Sequence, residues 1–377
     1  MTKTTLLTLG RLPKSLDIAR ALSSQGWRVI IAEPAKWHLS RVSNSVSKCI
    51  PVTAPNDDQA QYVADLLSII EREQVELVVP ISEEALHATL IEDALPENVR
   101  LFSMPHHQVR LLHDKMRFIK LADSYGLSVP ETHLLGTEAA DLLASTHDYI
   151  IKPVCTCSGQ GLELCRRGTA LPSPQSRAPS VVQRQLYGAH KSTFSIADSG
   201  RVIGSVIYRA TVLSGTVAVA FEHLANQSAI ESWIETFVGK SNHSGFISFD
   251  FIEDDAGTPM AIECNPRVTS GVHFVQPQDL ATAITDPEQI NDLTLKPNTG
   301  LKQFYPCLAE TQIAAFKGNG FSSKLKVMLR DSDVNFSWRD PLPLWLMPFT
   351  AWGIMKRSFL KGESFGEAST FDIAWYE

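Results

Sequence analysis

Residues 246–267 read FISFDFIEDDAGTPMAIECNPR, and the interpretation of the whole chain turns on this stretch. Residues 246–253 and 260–265 carry strand patterns, and the turn-rich run Asp254-Asp255-Ala256-Gly257-Thr258-Pro259 joins them, so a β-hairpin is expected. A hairpin centred on that run sets Asp250 directly opposite Glu263, and Glu253 opposite Met260. Opposed residues share a face. Asn265 and Arg267 alternate with Cys264 and Pro266, so they join Glu263 on that face while Cys264 points into the core. Like charges directly across a ladder destabilise it unless something compensates them. Two carboxylates and an amide oxygen converging in this way suit Mg²⁺, a hard cation that takes one or two carboxylates together with phosphate oxygens. The plainer alternative is a solvated edge hairpin with both acids in water, and the in-register Asn265 and Arg267 argue against it.

A Mg²⁺ face calls for polyphosphate, and polyphosphate calls for cations. Lys152 lies in the otherwise apolar strand pattern Tyr149-Ile150-Ile151-Lys152-Pro153, where it either reaches to the surface or pairs with an anion. The loop Cys155-Thr156-Cys157-Ser158-Gly159-Gln160-Gly161 follows. Gly159 and Gly161 let its backbone approach a ligand closely, and its N–H groups with the Ser158 hydroxyl can cradle phosphate oxygens.

Farther out, strand patterns at 4–9, 27–32 and 75–80 alternate with helical patterns at 12–25 and 59–73, which predicts a parallel sheet covered by helices. Gly10 stands alone where a dinucleotide fingerprint needs three glycines, so dinucleotide binding is not expected. A basic amphipathic helix at 114–125, strands at 180–186, 191–197, 201–209 and 216–222, and a helix at 228–239 complete the pattern. Residues 168–179 read as a surface loop. The 377 residues allow two to three domains at about 150 residues each. The net charge of −7 argues against a sequence-independent nucleic-acid binder. Six cysteines are too few for a disulfide scaffold of this length, and a reduced, cytoplasmic setting is expected. The apolar run near the start breaks at Gly10-Arg11, so no secretory leader is expected.

Four groups of residues in this order resemble the ATP-grasp superfamily: Asp114-Lys115-Met116-Arg117; Ile151-Lys152-Pro153 with the 158–161 loop; residues 182–188, VQRQLYG; and Asp250 with Glu263-Cys264-Asn265-Pro266-Arg267. The resemblance covers roughly residues 104–290. It implies an α/β chain, α+β in its catalytic core, with a Rossmann-like preATP-grasp domain at 1–103. A small lobe with the phosphate loop at 104–181, a large lobe with the Mg²⁺ site at 182–290 and an aromatic, proline-rich extension at 291–377 follow. It further implies that Lys115 and Lys152 contact ATP phosphates under a flexible lid, the 156–161 loop, whose Ser158, Gly159 and Gly161 would bind ATP. Gln183, Arg184, Gln185 and Leu186 would line the adenine pocket, and Asp250, Glu263 and Asn265 would hold Mg²⁺ or Mn²⁺. Arg267, with Lys152, would be catalytic, steadying the transferring phosphoryl group. One departure stands out. His190 falls where the family often places a ribose-binding carboxylate, and Arg184 stands where a glutamate is common.

The resemblance implies a carboxylate–amine ligase that forms an acyl-phosphate and releases ADP and phosphate. Its partners would be a small-molecule carboxylate and an amine, with Arg209 and His273 as candidate substrate contacts. The alternative is a nucleotide-binding regulatory or scaffold protein that keeps the fold without turnover. The uncharged run at 341–355, about 15 residues broken by Pro341, Pro343 and Pro348, is too short for a membrane-spanning helix, which needs roughly 20. With Trp338, Trp352 and the basic Lys356, Arg357 and Lys361 it is expected to pack against the core or a second copy in a homodimer. Peripheral membrane contact is the alternative.

Overall fold

The computed structural model describes residues 2–156, 161–318 and 320–375. Five short strands open the chain: β1 (Thr4–Leu7), β2 (Arg28–Glu33), β3 (Lys48–Pro51), β4 (Leu77–Val79) and β5 (Arg100–Leu101). They pair in parallel in the order β3-β2-β1-β4-β5. Alternate residues of these strands are buried on opposite faces. Leu7, Ile31 and Val79 pack with Ile18 and Leu22 of the helix Pro13–Ser24. Leu6, Ile30 and Val78 pack with Tyr62, Leu66 and Ile69 of the helix Gln59–Glu73. That second helix begins where the Asp58 carboxylate accepts the Gln61 N–H at 3.0 Å. A sheet covered on both sides needs the near-continuous apolar strands seen here.

A four-stranded antiparallel sheet follows, in the order β6-β9-β7-β8, from β6 (Thr132–Leu134), β7 (Tyr149–Pro153), β8 (Glu163–Cys165) and β9 (Ser180–Arg184). Its core of Tyr149, Ile151, Val182, Ala140 and Leu143 is its own, closed by the helix Glu138–Thr146. The sheet runs through Arg184, three residues past the lobe boundary expected from the sequence.

The third sheet has seven strands in the order β14-β13-β10-β11-β12-β15-β16. They are β10 (Ala189–Asp198), β11 (Arg201–Ser214), β12 (Val217–His223), β13 (Gly245–Glu253), β14 (Pro259–Asn265), β15 (Gly300–Lys302) and β16 (Ser332–Asp333). The stretch read as an extension thus supplies two strands of this sheet. One face, with Ile247, Phe249, Phe251 and Cys264, packs on Trp233, Ile234 and Phe237 of the helix Ser228–Ser241. The other, with Phe194, Ile196, Val206 and Phe246, shares one continuous core with Leu7, Leu9 and Val79 of the first sheet.

The tail fastens back onto the first domain. Buried Arg11 lies between Glu33 and Asp372, with Nη1 2.7 Å from the Asp372 carboxylate. Asp340 accepts from Arg20 at 2.9 Å and from the Ser43 hydroxyl at 2.7 Å. The expectation that the aromatic segment is buried against the core holds for only part of it. In the helices Leu342–Thr350 and Trp352–Lys361, Met347 packs on Leu16 and Leu39, and Pro343 and Thr350 are also buried. The larger rings are outside, because each helix places its bulk at i, i+3 and i+7 on the side away from that contact.

Fully buried His243, which follows the helix Ser228–Ser241, puts Nε2 3.2 Å from the Phe246 carbonyl. Burial pushes its imidazole down to about 4. The folded state therefore holds it neutral while an unfolded chain protonates it below about 6.5. Stability is fully present above that value and falls as pH drops toward 4. Urea unfolding at pH 7 and pH 5 should show a loss of about 2 kcal/mol from this residue. A His243→Gln variant should show a correspondingly smaller pH dependence.

Candidate functional site

The hairpin forms as expected at its centre, with Asp250 across from Glu263 and Ser248 across from Asn265. The strand-end pairing differs: Ile252, not Glu253, faces Met260. The cause is a β-bulge. Phe251 pairs with Ala261, so Ile262 is an extra residue and its carbonyl is released from the ladder. Lys152 uses it, donating from Nζ to the Ile262 oxygen at 3.0 Å.

Asp250 accepts a hydrogen bond from the Ser192 hydroxyl at 2.5 Å and from the Asn265 amide at 3.0 Å. Ser192 stands across from Asp250 in the β10–β13 pairing, which places it on the acidic face. Burial pushes the Asp250 carboxyl up to about 6, Glu263 pushes in the same direction, and Ser192, Arg267 and Asn265 oppose them. Two acids are thus held where one negative charge is easier to keep than two. The buried Lys152 ammonium is lowered to about 8, chiefly by burial, with Glu263 raising it and Lys115 lowering it. Lys115 begins the helix Lys115–Ser124, whose Asp114 cap accepts the Arg117 N–H at 2.8 Å. From there its Nζ reaches the Thr156 carbonyl at 2.8 Å and approaches Glu263 at 3.9 Å.

Arg267 follows the second strand. Its Nη2 donates to the Asn265 amide oxygen at 3.0 Å and to Glu83 at 2.6 Å. Glu83 lies just beyond β4 in the first domain and is buried. Against that burial, which favours the neutral acid, Arg267 foremost and then His113, Lys14 and Lys115 hold its carboxyl below the usual range. Glu83, Ser192 and the Ile262 carbonyl were not singled out from the sequence. Position offered a signal for Glu83 alone, since an acid at the carboxyl end of a parallel strand sits where α/β folds bind ligands.

The oxygen donors of Asp250, Glu263 and Asn265 fit a hard divalent cation, whose charge would compensate the crowded acids. Among the described residues no three His, Cys, Asp or Glu side chains gather as a closed metal cage, so a cation here would draw its remaining ligands from outside the chain.

A cavity of about 300 Å³ opens between the small and large sheets, lined by Arg184, Gln185, Leu186, Ile252 and Met260 among others. Gln183 is not in it. Its buried amide donates to the Thr132 hydroxyl at 2.9 Å, inside the small sheet. His190 is exposed at the start of β10, two residues before Ser192 and on the same face. Gly161 adopts φ +69°, a conformation that favours glycine. Ser158 and Gly159 lie outside the described residues.

The two candidate substrate contacts both have partners within the protein. Arg209 is across from Glu222 and one residue past Tyr208, which pairs with Ser192, so strand alternation puts it on the face opposite Asp250. It is exposed and pairs with Glu222 at 2.6 Å. His273 is buried, bonded through Nδ1 to Asp17 of the first domain and stacked on Phe221 with ring centroids 5.8 Å apart. Its polar edge is thereby committed to joining the first domain to the large sheet.

Residues 112–271 match a family described as the ATP-grasp domain. Among curated proteins the carbamoyl phosphate synthase large chain of Sulfolobus acidocaldarius is 22% identical over 230 residues. That match takes in 56% of this chain but only 22% of the relative, so the chain spans about a fifth of that protein's length. Among solved structures, N5-carboxyaminoimidazole synthetase from Staphylococcus aureus superposes with a TM-score of 0.62 at 11% identity, over 85% of this chain and 86% of the other. An L-amino acid ligase from Bacillus licheniformis gives 0.60 at 16% identity, over 76% and 74% of the two chains. Biotin carboxylase from Campylobacter jejuni gives 0.61 at 15% identity, over 80% and 74%. At these identities the likeness is one of fold. The matched stretch holds both lysines, the 184–187 cavity wall, the acidic hairpin and Arg267, and on this ground residues 112–271 are an ATP-grasp domain.

Proposed function

We propose that this chain is an ATP- and Mg²⁺-dependent ligase that activates a small-molecule carboxylate as an acyl-phosphate and joins it to an amine. The observation that carries the reading is the meeting of Lys115, Lys152, Asp250, Glu263, Asn265 and Arg267 around one face of the hairpin. A fold shared with an amino acid ligase and a carboxyaminoimidazole synthetase supports it.

In this reading the adenine enters the cavity lined by Arg184, Gln185 and Leu186, and the phosphates run toward the two lysines. Asp250, Glu263 and Asn265 would hold a divalent cation, which would supply charge neutralisation for the phosphates. A substrate carboxylate oxygen attacks the terminal phosphorus, and the bond from that phosphorus to ADP breaks. An amine then attacks the acyl carbon, phosphate leaves and the amine gives up a proton. Lys152 and Arg267 neutralise the charge that spreads over the migrating group, and Glu83 aims the Arg267 guanidinium. No nucleophilic side chain is needed.

Incubation with ATP, Mg²⁺ and pooled acids and amines should release ADP and phosphate only when both substrate classes are present. Release of AMP and pyrophosphate instead would overturn the phosphoryl-transfer reading. Glu263→Gln should abolish this turnover while circular dichroism and the melting temperature stay close to those of the parent. Glu83→Gln should slow turnover about 10- to 100-fold with nucleotide affinity nearly unchanged, as measured by single-turnover kinetics beside ADP titration. A matching loss of ADP affinity would assign Glu83 to folding of the site rather than to aiming Arg267.

A further inference from the structure

The helices Leu342–Thr350 and Trp352–Lys361 leave a set of large apolar side chains uncovered. Trp345 is 64% exposed, Phe349 74%, Trp352 61% and Phe359 88%. They fall on two stripes, 342/345/349 and 352/355/359, each at the i, i+3, i+7 spacing of one helix face. Single exposed apolar residues need no explanation, but consecutive helices with such faces mark a surface that meets another apolar phase. The exposed charges on the second helix are lysines. Residues 341–362 contain no acid in a chain whose net charge is −7; Arg357 is paired with Glu363 at 2.8 Å, and Lys356 and Lys361 are exposed. Lys356 lies four residues after Trp352 and three before Phe359, so it borders the second stripe. Beneath the second helix a cavity of about 680 Å³ is lined by Trp37, Ile354, Leu360 and Phe371, with Lys356 and Lys361 also on its wall. Trp37 itself is 61% exposed.

We infer that these two helices are an interfacial docking surface for an anionic lipid bilayer. Tryptophan and phenylalanine rings beside lysines are the chemistry that lies in the headgroup region, apolar atoms among acyl chains and ammonium groups at phosphate depth. A second copy of this chain is the other way to cover the rings. Self-association would bring Lys356 and Lys361 of two copies together if the helices met each other, and that favours the anionic surface. No helix among the described residues is long and apolar enough to cross a membrane, so the contact would be a surface one. The inference is independent of the ligase reading, since none of these side chains belongs to the nucleotide site.

The test is co-sedimentation of the full chain with vesicles of phosphatidylglycerol and phosphatidylethanolamine, beside vesicles of phosphatidylcholine alone. The chain should pellet with the anionic vesicles and bind the neutral ones at least about tenfold more weakly. Trp345→Ser with Phe349→Ser and Trp352→Ser should lower anionic binding at least about tenfold. Lys356→Glu with Lys361→Glu should reduce it to the level seen with neutral vesicles. All the replaced side chains are exposed, and an unchanged melting temperature and ADP affinity would show that the fold survives. Equal binding to both vesicle types would overturn the anionic assignment. Absence of vesicle binding, or a dimer by light scattering that the triple-serine variant dissolves, would overturn the lipid surface altogether.

Discussion

Two carboxylates face each other across an antiparallel ladder, and much of the molecule is arranged around keeping them there. Left alone, Asp250 and Glu263 would repel and splay the edge of the large sheet. The fold answers with cations and donors drawn from every part of the chain: Ser192 from the neighbouring strand, Asn265 and Arg267 from the hairpin itself, Lys115 and Lys152 from the small-sheet region. Glu83 then returns one negative charge from the first domain, so that the guanidinium is not left alone. Breaking a buried pair of this kind by removing one member leaves an uncompensated charge and costs about 3–5 kcal/mol. The site is therefore bound to the assembly of the three sheets, and no single lobe could maintain it.

The sequence was most legible where a side-chain period or a turn constrains it. Asp250 opposite Glu263 follows from strand period and a turn-rich connection, and Cys264 facing the core follows from the same alternation. The helix 59–73 and the parallel first sheet follow from apolar periodicity alone. The bulge at Ile262 was not legible, because an inserted residue leaves both strand patterns apolar and alternating. The face on which Arg209 lies was not legible for a related reason. Which face of a middle strand carries the site depends on its register with β10 and β12, and register is a tertiary fact. His273 was read as a possible substrate contact because nothing local announces Asp17, which lies on a helix 256 residues earlier in sequence. The exposed rings of 342–359 were legible as unusual. Their exposure was not, since packing decides which side of an apolar helix is covered.

The latches at the two ends of the chain set a second constraint. Arg11 is enclosed by Glu33 and Asp372, and Arg20 and Ser43 both hold Asp340, so the tail and the first domain are one unit in charge terms. His273 with Asp17, and the apolar residues shared between the first and third sheets, add the same connection in the interior.

The core of the four-stranded sheet stands apart. Its apolar residues pack only with one another, while the first and seven-stranded sheets are fused through a common interior. The chain enters and leaves the small sheet through 129–131 and 184–187, the two segments that wall the cavity beside Ile252 and Met260. The Lys152 ammonium, which reaches from the small sheet to the Ile262 carbonyl of the large one, accordingly carries across that seam a polar contact that the separate apolar cores do not supply.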